Sequence, residues 1–182
     1  MPWSPLPDFP SHLHAVAARV RLACFDVDGT LTDGRLYYDH AGNESKAFFV
    51  HDGLGLKLLQ KHGIHPVLIT ARNSQSALRR GADLGIDTQI AVGDKLASVR
   101  LLCEQHGVGL DQVAFLGDDL PDLAPLCAVG LAVAPANAHP WVAERVHWQT
   151  RAAGGQGAAR ELCDVLLAAQ GRLDDVLAGF GA

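Results

Sequence analysis

Leu22-Ala23-Cys24-Phe25-Asp26-Val27-Asp28-Gly29-Thr30-Leu31-Thr32-Asp33 is the stretch that decides the fold. An apolar run stops at two carboxylates spaced i, i+2, and Gly29-Thr30 supply the composition of a sharp turn. A short apolar run bounded by turn chemistry reads as a buried strand. In α/β sheets ligands bind just outside the carboxyl ends of the strands, which is where Asp26 and Asp28 fall. Side chains i and i+2 share a face along a strand, but here the strand is ending and the two can diverge around one bound atom. Carboxylates this close call for a cation or a shared proton, and hard oxygen donors suit Mg²⁺. A lone D-x-D could equally cap a turn. The longer string, hard against an apolar strand, is far more specific.

Outward from that strand the pattern repeats. Pro66 to Thr70 reads as a second buried strand with a polar end, Thr88 to Val92 as a short one, and Val113 to Gly117 as another, running into Asp118-Asp119. Val129 to Val133 is a further strand. Between them lie helices: one through Leu54, Leu58 and Leu59 to Gly63, then 73–84, 94–106 and 158–169. Strands alternating with helices predict an α/β fold, a Rossmann-like parallel sheet flanked by helices. Residues 34–50 differ, with aromatic runs flanking Asp39-His40-Ala41-Gly42-Asn43-Glu44, the signature of a β-hairpin inserted after the first strand. So apolar a hairpin must bury itself, either on its own domain or between subunits. Before the first strand, Met1 to Pro10 reads as an extended, poorly ordered arm, followed by a short helix N-capped by Ser11 with Leu13, Val16 and Val20 on one face. The expected division is an arm and short helix over 1–20, one domain over 21–170 and a loose tail over 171–182.

With 182 residues, 48% apolar content and a formal net charge of -5, the chain suits one compact domain and offers no basic footprint for nucleic acid. Cys24, Cys103, Cys127 and Cys163 are scattered, indicating neither a disulfide framework nor a zinc site, and a reducing, cytoplasmic setting is expected. The N-terminal stretch lacks the pattern of a signal peptide, and no apolar run is long enough to span a bilayer.

Taken in order, D-x-D-G-T at Asp26, an apolar run ending in Thr70, then Lys95, then G-D-D-x-x-D from Gly117 to Asp122, the chain resembles the haloacid dehalogenase superfamily of phosphohydrolases over about residues 20 to 170. The resemblance implies a haloacid dehalogenase-like fold and phosphoryl transfer, which asks the protein for positioning and charge neutralisation. Asp26 would be the nucleophile forming an aspartyl phosphate. Asp28 would protonate the leaving alcohol and then activate water. Thr70 would hydrogen-bond a phosphoryl oxygen beside the fixed charge of Lys95. Asp118 would hold Mg²⁺ with the Asp26 carboxylate and the Asp28 backbone carbonyl, and Asp119 would be a further ligand or a support. Each has a plainer alternative: Thr70 a helix cap, Lys95 a solvated helix residue, Asp122 a surface cap or pair. Superfamily dehalogenases normally lack the second Asp, so Asp28 favours phosphate chemistry. Neither 29–69 nor 95–118 has room for a cap domain, so the site is expected to be capless.

Finer strings, T-D-G-x-x-Y-Y-D-x-x-G-N-E from Thr32, D-G-x-G-L-K from Asp52, I-T-A-R from Ile69 and G-G-x-G-A-x-R-E-L-C-D from Gly154, resemble the 3-deoxy-D-manno-octulosonate 8-phosphate phosphatases. That resemblance implies a phosphorylated sugar acid as substrate on the way to lipopolysaccharide, and a homotetramer whose hairpins meet at its centre. It also implies a Gly-rich segment, here Gly154 to Gly157 with Gly155 in it, that helps close a neighbour's site. Arg72 suits a substrate carboxylate where relatives acting on nine-carbon sialic-type acids tend to have Glu. Arg80 matches an arginine of that sialic-type group that reaches a neighbour's site. Lys57 matches a lysine that faces substrate. For all three a solvated helix surface is the alternative. The chain departs from the family at Ala71 and Ala91, where glycine is usual. Competing readings are a phosphatase for a 9-phosphorylated nonulosonate or another sugar phosphate, and a catalytically idle scaffold of the same fold.

Overall fold

The structure, a computed structural model, describes residues 4–181. Among the described residues eight strands are formed: β1 (Leu22–Phe25), β2 (Tyr37–Tyr38), β3 (Glu44–Ser45), β4 (His65–Ile69), β5 (Asp87–Gln89), β6 (Val113–Leu116), β7 (Leu131–Ala134) and β8 (Trp148–Gln149). The α-helices are α1 (His14–Ala17), α2 (Val50–Lys61), α3 (Gln75–Leu84), α4 (Lys95–His106), α5 (Leu123–Leu126), α6 (Pro140–Ala143), α7 (Ala158–Ala169) and α8 (Leu173–Ala178). Six strands make one parallel sheet in the order β5-β4-β1-β6-β7-β8, and β2 pairs with β3 in a separate antiparallel hairpin.

β1 carries no polar alternation because both its faces are covered. Ala23 and Phe25 join a core with Leu56, Leu59, Leu162 and Leu166 of α2 and α7. Leu22 and Cys24 join the opposite core with Val99 and Leu102 of α4 and Leu126 of α5. Each fully buried Leu or Phe contributes about 1.5–3 kcal/mol relative to leaving it exposed.

The register then places the site. Phe25 pairs with Leu68 of β4 and with Leu116 of β6. Asp26 follows one residue past this level, and Thr70 and Asp118 follow two past their strands' partners. Three central strands thus deliver polar residues to one edge. α4 adds Lys95 as its first residue, behind Asp94, whose side chain caps the helix by accepting from Ala97 N at 2.9 Å.

The structure departs from the sequence reading at the periphery. The hairpin pairs Tyr37 and Tyr38 with Ser45 and Glu44, while the Ala47–Val50 run is no strand and ends in the first residue of α2. Its two tyrosines find little burial within the chain: Tyr37 is 45% and Tyr38 58% exposed, while Phe48 packs against the core. The described part of the N-terminal arm is packed, with Phe9 buried against Trp148 at 5.0 Å between ring centroids and Asp8 paired with Arg151. Residues 1–3 lie outside the described residues. Ser11 opens a 3-10 turn without capping it, because Pro10 holds the cap position. The tail contains α8, and β8 adds a sixth strand that the sequence did not suggest. All four cysteines are free, three of them buried. No helix among the described residues is long and apolar enough to cross a membrane.

Candidate active site

A cavity of about 200 Å³ opens at the carboxyl edge of β1, β4 and β6, lined by Asp26, Asp28, Thr70, Arg72, Lys95 and Asp122, with Ala71, Asp119 and Pro121 at its margin. Its deepest part is an ion cluster. Lys95 Nζ lies 2.5 Å from Asp26 Oδ1 and 2.6 Å from Asp122 Oδ1, and the lysine and both carboxylates are almost wholly buried. Asp122 also accepts from the backbone N–H groups of Asp118 and Asp119 through Oδ2, at 3.2 and 3.4 Å. Asp118 is held by Thr30 Oγ1, which donates at 2.9 Å. Gly29 makes the approach possible. Its φ of +93° is one that L side chains rarely adopt, and a Cβ there would lie 2.1 Å from Asp118 Oδ2.

The electrostatics follow from crowding. Burial first, then the Asp122 charge, push Asp26 well above the usual carboxylate range, against the pull of Lys95. Burial raises Asp118 to about 6, the Thr30 hydrogen bond opposing and the Asp122 charge adding to the rise. Burial likewise raises Asp122, against Lys95. For Lys95, burial alone would lower the ammonium, but the charges of Asp26 and Asp122 and its hydrogen bonds to both outweigh burial and raise it. Oxygens of Asp26, Asp118 and Asp122 all lie within 4.8 Å of one another, and the one ammonium among them touches only Asp26 and Asp122. An all-oxygen donor set with that excess of negative charge fits a hard divalent cation.

The second half of the site is a ring of five residues. Thr70 Oγ1 donates to Asp28 Oδ2 at 3.2 Å. Asp28 Oδ1 pairs with Lys46, whose side chain is fully buried. Lys46 Nζ is 3.4 Å from Glu44 Oε1, and Glu44 Oε2 pairs with Arg72. The Arg72 backbone N–H closes the ring on Thr70 Oγ1 at 3.1 Å. The hairpin thus contributes charged groups to the front of the site, and the Arg72 and Lys46 contacts pin it there.

Of the residues singled out in the sequence, Asp26, Asp28, Thr70, Arg72, Lys95 and Asp119 line the cavity. Asp118 stands in the acidic cluster at its base, as does Asp122, which is 1% exposed and not on the surface where the sequence had suggested a cap or pair. Asp119 is exposed, and its Oδ1 caps the turn after it by accepting from Leu120 N at 2.8 Å. Three residues stand apart from the cavity. Lys57 is exposed on α2. Arg80 lies over the Phe48 ring at 5.8 Å and against Gly53, where a Cβ would meet its Nη2 at 2.2 Å. Gly155 packs on Thr32 and Asp33 of its own chain and donates from its backbone N to Thr30 O at 3.0 Å. Lys46 and Glu44 were missed, although their i, i+2 spacing on one hairpin arm was a usable signal that both face one side.

Sheet order, the sequence of motifs and this edge cluster together define a hydrolase of the haloacid dehalogenase class. A model of the haloacid dehalogenase-like hydrolases matches residues 90–162. The chain is 44% identical over 163 residues to the 3-deoxy-D-manno-octulosonate 8-phosphate phosphatase KdsC of Escherichia coli, covering 88% of this chain and 86% of that one. A crystal structure of a Xanthomonas campestris protein superposes with a TM-score of 0.98 at 69% identity, over 100% of both chains. The Moraxella catarrhalis 3-deoxy-D-manno-octulosonate 8-phosphate phosphatase, solved with magnesium, phosphate and the sugar acid, superposes with a TM-score of 0.90 at 37% identity, over 93% of this chain and 98% of that one. The chain belongs to the 3-deoxy-D-manno-octulosonate 8-phosphate phosphatase family within that class.

Proposed function

We propose that the protein is a Mg²⁺-dependent phosphatase that hydrolyses 3-deoxy-D-manno-octulosonate 8-phosphate to the free sugar acid and inorganic phosphate. The observation that carries the reading is the edge cavity itself, with one carboxylate on the buried Lys95 ammonium and a second, Asp28, held 3.2 Å from Thr70 on the open side. The relatives' substrate supports the choice of sugar acid, and the Asp26, Asp118 and Asp122 donor set supports the metal.

In this reading the Asp26 carboxylate attacks phosphorus, the bond to the sugar oxygen breaks and an aspartyl phosphate forms. Asp28 gives its proton to the leaving alkoxide, then takes one from the water that attacks the aspartyl phosphate and regenerates Asp26. Lys95 keeps Asp26 oriented and faces the phosphoryl oxygens with fixed charge, and Thr70 donates its hydroxyl there. When bound, Mg²⁺ would be held by the Asp26 and Asp118 carboxylates with the Asp28 backbone carbonyl and would supply positive charge against the phosphoryl group. Asp119, at the margin, supports the ligand loop through its cap on Leu120 N. Arg72 receives the substrate carboxylate.

The same reading includes a homotetramer joined through the hairpins. The exposed Leu36, Tyr37, Tyr38, Phe49 and Val50 support it, because a single chain leaves this apolar row to solvent. Phosphate release is the test, with and without chelator. The panel is the octulosonate 8-phosphate, a 9-phosphorylated nonulosonate and hexose phosphates. Preference for the first, lost on chelation, is expected. Preference for the nonulosonate would move the substrate, and no turnover at all would leave an idle scaffold.

A further inference from the structure

Arg72 lines the catalytic cavity together with Lys95, and like that lysine it is already paired. Glu44 Oε2 pairs with its Nη2, and Tyr38 Oη is 3.4 Å from the same nitrogen. The occupation is incomplete: Nε of the same guanidinium is buried and has no acceptor among the described residues. A guanidinium matches a carboxylate best through two parallel N–H groups, and Glu44 uses one. Glu44 also has a second partner in Lys46, 3.4 Å from its other oxygen and fully buried. If Glu44 lets go of Arg72 it keeps Lys46, an ammonium it then shares with Asp28.

We propose that Glu44 is a specificity-determining stand-in, an anion that holds Arg72 until a substrate carboxylate displaces it onto Lys46. The inference rests on the reading of the protein as a sugar-acid phosphatase and deepens it. Its consequence is discrimination by exchange. A phosphate ester with a carboxylate replaces one Arg72 ion pair by a better one with two hydrogen bonds. An ester without one leaves Glu44 in place, closing the front of the cavity with a negative charge. Glu44 is thus a positioning residue acting through Arg72, and Lys46 is the relay that connects it to Asp28.

The test is steady-state kinetics of Glu44→Gln, Arg72→Met and the double variant. The substrates are 3-deoxy-D-manno-octulosonate 8-phosphate and a neutral hexose 6-phosphate. Removing the competing charge at a partly exposed pair is expected to lower KM for the carboxylated ester by about two- to five-fold. The expected kcat changes less than KM, and KM for the neutral ester moves less than that for the carboxylated one. In the Arg72→Met background the Glu44→Gln effect on KM disappears. A rise in KM for the carboxylated ester, or the same change with and without Arg72, overturns the proposal, because Glu44 would then be bracing the loop. Glu44→Asp separates the two further: a brace is loosened by the shorter chain, whereas a weaker competitor also lowers KM. Should the wild type show no preference for the carboxylated ester, it is the functional reading that fails, and the proposal falls with it.

Discussion

Lys95→Met removes the ammonium that touches two of the three clustered carboxylates. Nζ sits 2.5 Å from Asp26 and 2.6 Å from Asp122, with the lysine side chain 4% exposed. Breaking a buried ion pair by deleting one partner costs about 3–5 kcal/mol, because the other charge stays buried without compensation. Here two carboxylates lose their partner at once, but both already lie above the usual carboxylate range and can take up protons, so the lower end of the range is the better figure. At roughly 2–4 °C per kcal/mol for a chain of this size, a loss of about 3 kcal/mol lowers Tm by about 6–12 °C in chelator. Mg²⁺ reverses the order of effects. It is the remaining source of positive charge for the cluster, so the upward shift in Tm on adding it should be larger for Lys95→Met than for wild type. Thermal unfolding followed by circular dichroism, in chelator and in Mg²⁺, reads both quantities. Equal Tm for both proteins in chelator, or a smaller Mg²⁺ shift for the variant, would refute the view that this lysine holds the buried Asp26 and Asp122 charges in balance. Phosphatase activity is expected to be lost in either case.

Other expectations are simpler to state. Gly29→Ala places a Cβ 2.1 Å from Asp118 Oδ2 at a backbone φ of +93°, so the Mg²⁺-induced rise in Tm should shrink, with about 1–3 kcal/mol lost by urea titration in chelator. Ala91 has a φ of +54°, so Ala91→Gly should stabilise, by about 0.5 kcal/mol once the entropy of the extra glycine is set against the relieved strain. Asp118 is raised to about 6, so its contribution to apo stability is full below the unfolded value near 3.8 and is lost as pH rises through about 6. Binding Mg²⁺ requires the ionised form, and the Tm gain on adding the metal should therefore be larger at pH 7 than at pH 5; a gain independent of pH would count against a proton on that carboxyl.

The central strands could be read from the chain because their polar residues come after apolar runs that nothing interrupts. Leu22–Phe25 into Asp26 and Val113–Leu116 into Asp118 are cases where local composition and tertiary position agree. β8 could not be read, since two residues, Trp148 and Gln149, carry no periodicity and pair only because β7 offers an edge. Phe9 was hidden among prolines, whose composition suggests extension but is silent on packing. Asp122 read as a surface cap because its spacing from Asp118 is also that of an ordinary helix-start carboxylate; only the third dimension brings Lys95 from 27 residues away to meet it. Lys46 was overlooked for the opposite reason: a lone lysine on an apolar hairpin looks like a solvated edge residue, yet it reaches Asp28. The fold was thus legible where hydrophobic pattern decides it, and the site was legible except where long-range contacts give a common residue an uncommon setting.

The close approach of Gly154 to Gly29 has a consequence for how the molecule is made. A Cβ on Gly154 would fall 1.7 Å from Gly29 O, and Gly155 N donates to Thr30 O at 3.0 Å, so the loop carrying Asp28 is clasped by a segment synthesised some 125 residues later. On the ribosome, β1 emerges early and waits for β4, then for β6, and lastly for this clasp and the α7 helix behind it. A nascent chain can hold most of its sheet while the loop beside its acidic cluster is still unbraced, and the clasp closes only after Gly154 and Gly155 have left the exit tunnel.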